Sequence, residues 1–195
     1  LSSSVGASLL AKTFHLTHPA KSLSPPPWFA DLTFQVSTWK GKGMPKLSAS
    51  HRLRFGRYDE PNRLYLLTAN TLHREPVFSD FALGRLVVDQ FRNAQDIGLA
   101  NSMAWVVMPD HFHWLLDLRR GSLSELMQRT KSLSARAVNM TTGRNGSIWQ
   151  QGFHDRALRR EDDLVKMARY VVANPLRAGL VEKLGDYPLW DAIWV

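Results

Sequence analysis

Residues 102–118 read SMAWVVMPDHFHWLLDL. Ser102 to Met108 reads as one strand and His111 to Leu118 as a second, with the turn signal Pro109-Asp110 between them. Two strands joined this tightly make an antiparallel hairpin. On a strand, residues i and i+2 share a face. His111 and His113 therefore project together, while Phe112 and Trp114 turn to the opposite layer.

Working outward, residues 63–70 (RLYLLTAN) read as a strand rich in Leu with Tyr and Thr. Ser79 to Ile97 reads as a helix with Leu83, Leu86, Val87, Phe91 and Ala94 on one side. Ser122 to Met140 reads as another, opened by a capping box of Ser122 and Glu125. Its apolar stripe is Leu123, Leu126, Met127, Leu133 and Ala137, and Gly143-Arg144-Asn145-Gly146 ends it. Ile148 to Arg159 is expected to be a fourth strand, and Asp162 to Asn174 the last main helix, stopped by Pro175. The order β-α-β-β-α-β-α is the split βαβ of a ferredoxin-like, RRM-like α+β sandwich. An antiparallel sheet is expected, with helices on one face plus a C-terminal helix.

The flanks differ in character. Residues 1–43 are rich in Ser, Pro and Gly, with Pro25-Pro26-Pro27 at the centre, and show no sustained period. They read as an unstructured leader or upstream sequence, with Met44 as the natural start. Residues 44–62 read as a basic arm, 63–185 as the functional domain and 186–195 as a C-terminal tail. The net charge of +8 favours a polyanionic partner, nucleic acid before membrane. With no cysteine, disulfides, thiolate metal sites and thiol catalysis are excluded, and a reducing cytoplasm is compatible. No apolar run reaches the roughly 18 residues of a membrane span.

Two features bear chemistry. Two imidazoles about one pleat apart can share a metal ion; two satisfied histidines would give the same spelling. Tyr170 and Asn174 lie four apart, on one helix face. The stripe of that helix is Leu164, Met167, Ala168 and Val171, and Tyr170 and Asn174 fall on its flank, where a side chain reaches a cleft. Lys166 lies on the same side, one turn earlier. A boundary tyrosine and a helix-ending asparagine before Pro175 is the alternative reading.

The segments Trp105 to Leu116 (WVVMPDHFHWLL) and Tyr170 to Val181 (YVVANPLRAGLV) resemble the single-tyrosine HUH transposases, and among them the REP-associated tyrosine transposases. Gly56-Arg57-Tyr58 and the Trp149-Gln150-x-Gly152-Phe153 stretch carry the same likeness, which covers about residues 50–185 in order. The commonest spelling of the first motif has Asn where this chain has Asp110, read here as a turn residue. Mobile members often supply a Gln as third metal ligand, where Asn174 stands here.

The resemblance implies an enzyme that cuts and rejoins single-stranded DNA. His111, His113 and Asn174 would hold one divalent ion, Mg²⁺ or Mn²⁺. Tyr170 would attack phosphorus, giving a 5′-phosphotyrosine and a free 3′-OH. Lys166, the metal or a water would help to remove the phenolic proton. DNA contacts are expected from Arg52, Arg54, Arg57, Arg119, Arg120, Arg129, Lys131, Arg136, Arg156, Arg159 and Arg160. Trp149, Phe153 and His154 are expected to stack on unpaired bases. The implied substrate is a hairpin of short palindromic repeats, the implied compartment the bacterial cytoplasm and nucleoid. A monomer is favoured over a homodimer. Two other readings stay open: a non-catalytic single-strand-binding module, and a nuclease in which His111, His113 and His154 activate a water.

Overall fold

The computed structural model describes residues 59–158 and 162–193, with only the backbone of Asp162 and Asp163. The leader, most of the basic arm, and Arg52, Arg54, Arg57, Arg159 and Arg160 lie outside the described residues.

The chain runs β1 (Arg63–Asn70), α1 (Phe81–Asp96), β2 (Ala100–Met108), β3 (His111–Leu118), α2 (Leu123–Thr142), β4 (His154–Ala157), α3 (Asp162–Val172), α4 (Asn174–Arg177) and β5 (Trp190–Ala192). The sheet order is β4-β1-β3-β2-β5, and every neighbouring pair is antiparallel. The first four strands make the ferredoxin-like arrangement expected from the element order. The stretch expected as a tail adds β5 to the β2 edge, pairing Ala104, Trp105 and Val106.

Alternation along the strands divides the protein into two apolar layers. Leu67, Ala69, Trp105, Val107, Phe112 and Trp114 face α1 and α2. Phe91 of α1 stacks on Trp114 with ring centroids 4.4 Å apart and meets Phe112 edge-on at 5.1 Å. Such aromatic pairs add about 0.5–1.5 kcal/mol beyond their buried area. Leu66, Val106 and Leu115 face the other way, against Ala168, Val171 and Val172 of α3. The C-terminal helix thus covers the face that α1 and α2 leave open.

The capping box forms as expected: Ser122 Oγ accepts from Glu125 N at 3.2 Å, and Ser122 N donates to Glu125 Oε2 at 2.9 Å. The buried side of α2 is turned from the expected stripe. Thr130, Ser134 and Val138 are buried beside Leu123, Leu126 and Met127, while Leu133 and Ala137 are only half-buried. The polar members fit because Ser134 Oγ donates to the Thr130 carbonyl at 2.7 Å and accepts from Trp149 Nε1 at 3.0 Å.

Two expected elements differ. The fourth strand is His154–Ala157, not Ile148 to Arg159. Trp149 bridges Thr71, and pairing resumes only at His154 opposite Thr68, so the four residues 150–153 stand against two on β1, Ala69 and Asn70. The surplus bows out through Gly152, whose φ of +75° a side chain would resist. Helix α3 ends at Val172, and Pro175 falls within the first residues of α4 rather than stopping the chain's helical course. Proline is tolerated there because a first-turn N–H has no intrahelical partner.

Candidate active site at the histidine pair

His111 and His113 begin β3 and share a face, with ring centroids 4.9 Å apart. Their strand is pinned by the opposite layer, where Phe112 and Trp114 are fully buried. Helix α3 lies across β2 and β3, and its packing through Ala168 and Val171 brings Tyr170 over the pair. The Tyr170 ring centroid is 6.3 Å from that of His113. Residues far apart in sequence therefore meet at one spot, as the motifs suggested.

Each imidazole is held at Nδ1. His111 Nδ1 lies 2.6 Å from Asp110 Oδ1, and His113 Nδ1 lies 2.8 Å from Thr68 Oγ1. The register explains the second bond, because Thr68 stands directly opposite His113. Neither bond uses Nε2. Burial pushes the His113 pKa down to about 3, aided by repulsion from His111 when that ring is protonated and by the charges of Arg177 and Arg74. Burial also lowers the His111 pKa, against the pull of Asp110. Both rings are thus neutral near pH 7, the form in which imidazole binds a metal.

Asn174 turns its amide nitrogen back on α3, where Nδ2 donates to the carbonyls of Tyr170 at 2.9 Å and Val171 at 3.0 Å. Those bonds occupy the NH₂ end and leave the amide oxygen for a ligand. Among the described residues no group of three or more His, Cys, Asp or Glu could hold a metal. A bound divalent ion would therefore rely on two neutral nitrogens plus an amide oxygen. This donor set suits an ion that keeps water or phosphate as further ligands.

Three neighbours were not anticipated. The Arg177 guanidinium carbon lies 4.5 Å from the Tyr170 ring centroid, within cation–π range. Its signal was present in the sequence: Arg177 follows Tyr170 by seven residues, two helical turns. Thr68 was legible only once the β1–β3 register was known. Arg74 carried no local signal; its Nε reaches Asp110 Oδ2 at 2.8 Å from a loop. Lys166 is exposed on α3, one turn before Tyr170.

The expected DNA-contacting side chains scatter. His154 and Arg156 share the face of the histidine pair, since His154 pairs Thr68 and Arg156 pairs Leu66. His154 is two strands from His113, roughly 10 Å across the sheet, so the three histidines do not converge to activate a water. Arg119 and Arg120 follow the far end of β3, roughly 25 Å along the strand from His111. Arg119 pairs Asp117 at 2.9 Å, and Arg120 donates to the Ile97 carbonyl. Arg129 and Arg136 belong to α2, on the opposite face of the sheet; Arg129 reaches Asn93 at 3.4 Å and Arg136 is exposed.

Two expectations need correcting. Trp149 does not present a ring to bases: it is buried against Phe78 and Phe112. Lys131 is half-buried, and its Nζ donates to the carbonyls of Gln150 at 2.7 Å and Gly152 at 2.6 Å. It fastens the bowed segment before β4 rather than a phosphate. Phe153 is also partly packed against the same core.

A ferredoxin-like sheet carrying paired histidines beneath a tyrosine helix defines a class, the transposases foreshadowed by the two motifs. The family model described as "Transposase IS200 like" matches residues 64–174. That is more than half of the chain and includes both histidines and Tyr170, and the protein belongs to that family. It is 29% identical over 85 residues to the REP-associated tyrosine transposase of Escherichia coli (strain K12), covering 44% of this chain and 50% of that protein. A Haemophilus influenzae protein, provisionally named as such a transposase, is 29% identical over 98 residues, covering 45% of this chain and 56% of that one. The chain spans about half the length of the curated relatives it matches. A solved REP-associated tyrosine transposase bound to a REP hairpin superposes with a TM-score of 0.55 at 24% identity, over 69% of this chain and 79% of that one. This likeness establishes the shared fold.

Proposed function

We propose that this protein cleaves and rejoins single-stranded DNA, with Tyr170 as nucleophile, at hairpins formed by palindromic repeats. The observation that carries the reading is the Tyr170 ring 6.3 Å from His113, itself 4.9 Å from His111. The Tyr170 oxygen attacks phosphorus as its proton passes to solvent. The bond to the 3′ oxygen breaks, leaving a 5′-phosphotyrosine and, after protonation, a free 3′-OH. A 3′-OH attacking that phosphotyrosine reverses the step and joins strands. A divalent ion, Mn²⁺ or Mg²⁺, held by His111, His113 and Asn174, would supply Lewis-acid polarisation of the scissile phosphate.

The chain's own groups do the rest. Asp110 and Thr68 hold the imidazoles by Nδ1, and Asn174 holds its amide against the end of α3. Arg177 steadies the Tyr170 ring from one side. Lys166 would contact phosphate or help to deprotonate the phenol. His154 and Arg156 extend the same face toward the β4 edge and would guide the strand. The Tyr170 ring beside the chain's own His113 supports a monomer as the acting form. The net charge of +8 suits a DNA substrate in the bacterial cytoplasm. Among the described residues no helix is long and apolar enough to cross a membrane.

The test is denaturing electrophoresis of protein incubated with Mn²⁺ and a labelled single-stranded hairpin from its genome's repeats. Label migrating with wild type and not with Tyr170→Phe is expected. Cleavage by both without a protein-linked label would replace the tyrosine by an activated water.

A further inference from the structure

We infer that Asp110 and Arg74 are a positioning pair that fixes His111 with Nε2 bare and turned to a metal. The inference rests on the proposal that His111 is a ligand. A carboxylate only accepts, so the 2.6 Å contact between Asp110 Oδ1 and His111 Nδ1 puts the ring proton on Nδ1. The lone pair is then on Nε2. His113 differs, because the Thr68 hydroxyl at 2.8 Å can donate or accept and dictates neither tautomer. One histidine of the pair is thus set by a charge and the other by a group that follows the ring.

Asp110 is itself held. Its second oxygen takes Arg74 Nε at 2.8 Å. Its carbonyl accepts from Thr71 N at 2.9 Å and from Thr71 Oγ1 at 3.0 Å, and Thr71 is wholly buried. Arg74 also donates to Asn70, the residue opposite His111 on β1. The loop that delivers Arg74 is unusual: His73 and Arg74 have φ of +55° and +59°. Side-chain-bearing residues rarely adopt that left-handed region. Two in succession bring the guanidinium back over the turn between β2 and β3. A carboxylate bonded behind a ligating imidazole also raises its basicity as a donor. The Arg74 bond holds that carboxylate behind the ring and away from a metal.

The experiment uses the full chain carrying Tyr170→Phe, which binds without turnover, and compares it with added Asp110→Asn, Asp110→Ala, Arg74→Met and His111→Ala. Nitrogen-15 spectra of the histidine rings without metal read the tautomer. Paramagnetic resonance of free Mn²⁺ reads affinity, and thermal melts confirm folding. The parent should show His111 protonated at Nδ1. Asp110→Ala should move part of that signal to Nε2 and weaken Mn²⁺ binding about 10–100-fold. The isosteric Asp110→Asn keeps an acceptor for Nδ1–H yet loses the charge, so its affinity should fall between the two. Arg74→Met should weaken binding less than Asp110→Ala. If both Asp110 variants fold and keep the parent's tautomer and affinity, the positioning pair is refuted while the ligand role of His111 stands. If His111→Ala binds Mn²⁺ as tightly as the parent, the ligand reading fails and this inference falls with it.

Discussion

The two faces of the sheet are built by the same strands to opposite ends. Along β3, Phe112, Trp114 and Leu116 point one way and vanish into the layer under α1 and α2. His113 and Leu115 point the other way, beneath α3. The first face is sealed by aromatic contacts such as Phe91 on Trp114. On the second, the apolar row of β3 ends at Leu115, and His111 and His113 gather with Thr68 and Tyr170 beside Val106 and Met108 of β2. A strand with one side sunk in a rigid layer can present polar groups on its other side with little freedom to drift. The core and the site are therefore separable by substitution, although their residues alternate.

The largest effect should come from the site face at Tyr170. Tyr170→Phe should abolish the protein-linked DNA label entirely while leaving the thermal melt near wild type, since the lost hydroxyl has no described partner in the core. A Tyr170→Phe protein that still forms the adduct would move the chemistry off this face. On the other face, Phe91→Ala removes the ring that meets both Trp114 and Phe112. It should cost about 3–5 kcal/mol in denaturant unfolding. A smaller loss would mean that the layer collapses around the gap.

Acid should reveal the site face in the stability of metal-free protein. The folded His113 titrates near 3, against 6.5 for an ordinary histidine. Between those values the unfolded chain binds a proton that the folded chain refuses, so stability is full above about 6.5 and falls as pH drops through the window. One such group contributes a slope of about 1.4 kcal/mol per pH unit. His113→Asn should flatten the profile measured by urea unfolding; an unchanged slope would assign it to other groups. The smallest effect belongs to the rim: Ser122→Ala should cost about 1 kcal/mol by removing the N-cap of α2, leaving DNA cleavage unaltered. Reduced cleavage there would tie α2 to the site.

Much of this was legible because local chemistry and tertiary demand agree. Pro109-Asp110 between two apolar runs fixed the hairpin, and with it the shared face of His111 and His113. Ser122 and Glu125 marked the start of α2. Failures came where distant contacts decide. Ile148 to Phe153 has the composition of a strand, yet Lys131 ties its carbonyls and Gly152 turns it aside. Trp149 looked like a stacking platform until its indole N–H met Ser134, a polar residue on the buried side of α2. Asp110 looked like a turn residue, and is one; its bond to Arg74 depends on a loop 36 residues earlier. Strand β5 is three residues long and takes its identity from the edge it joins.

That edge has a consequence for the order in which the molecule is made. Residues 189–192 emerge from the ribosome after everything they pair with. Until then the outer rim of β2 offers bare amides and carbonyls, including the Val107 N–H that Leu189 later takes at 2.9 Å. A nascent chain paused short of Leu189 would thus carry an open template for any passing strand. Residues 189–192 act as a clasp on that rim, shutting this edge of the sheet only after β2 and β3 have been made.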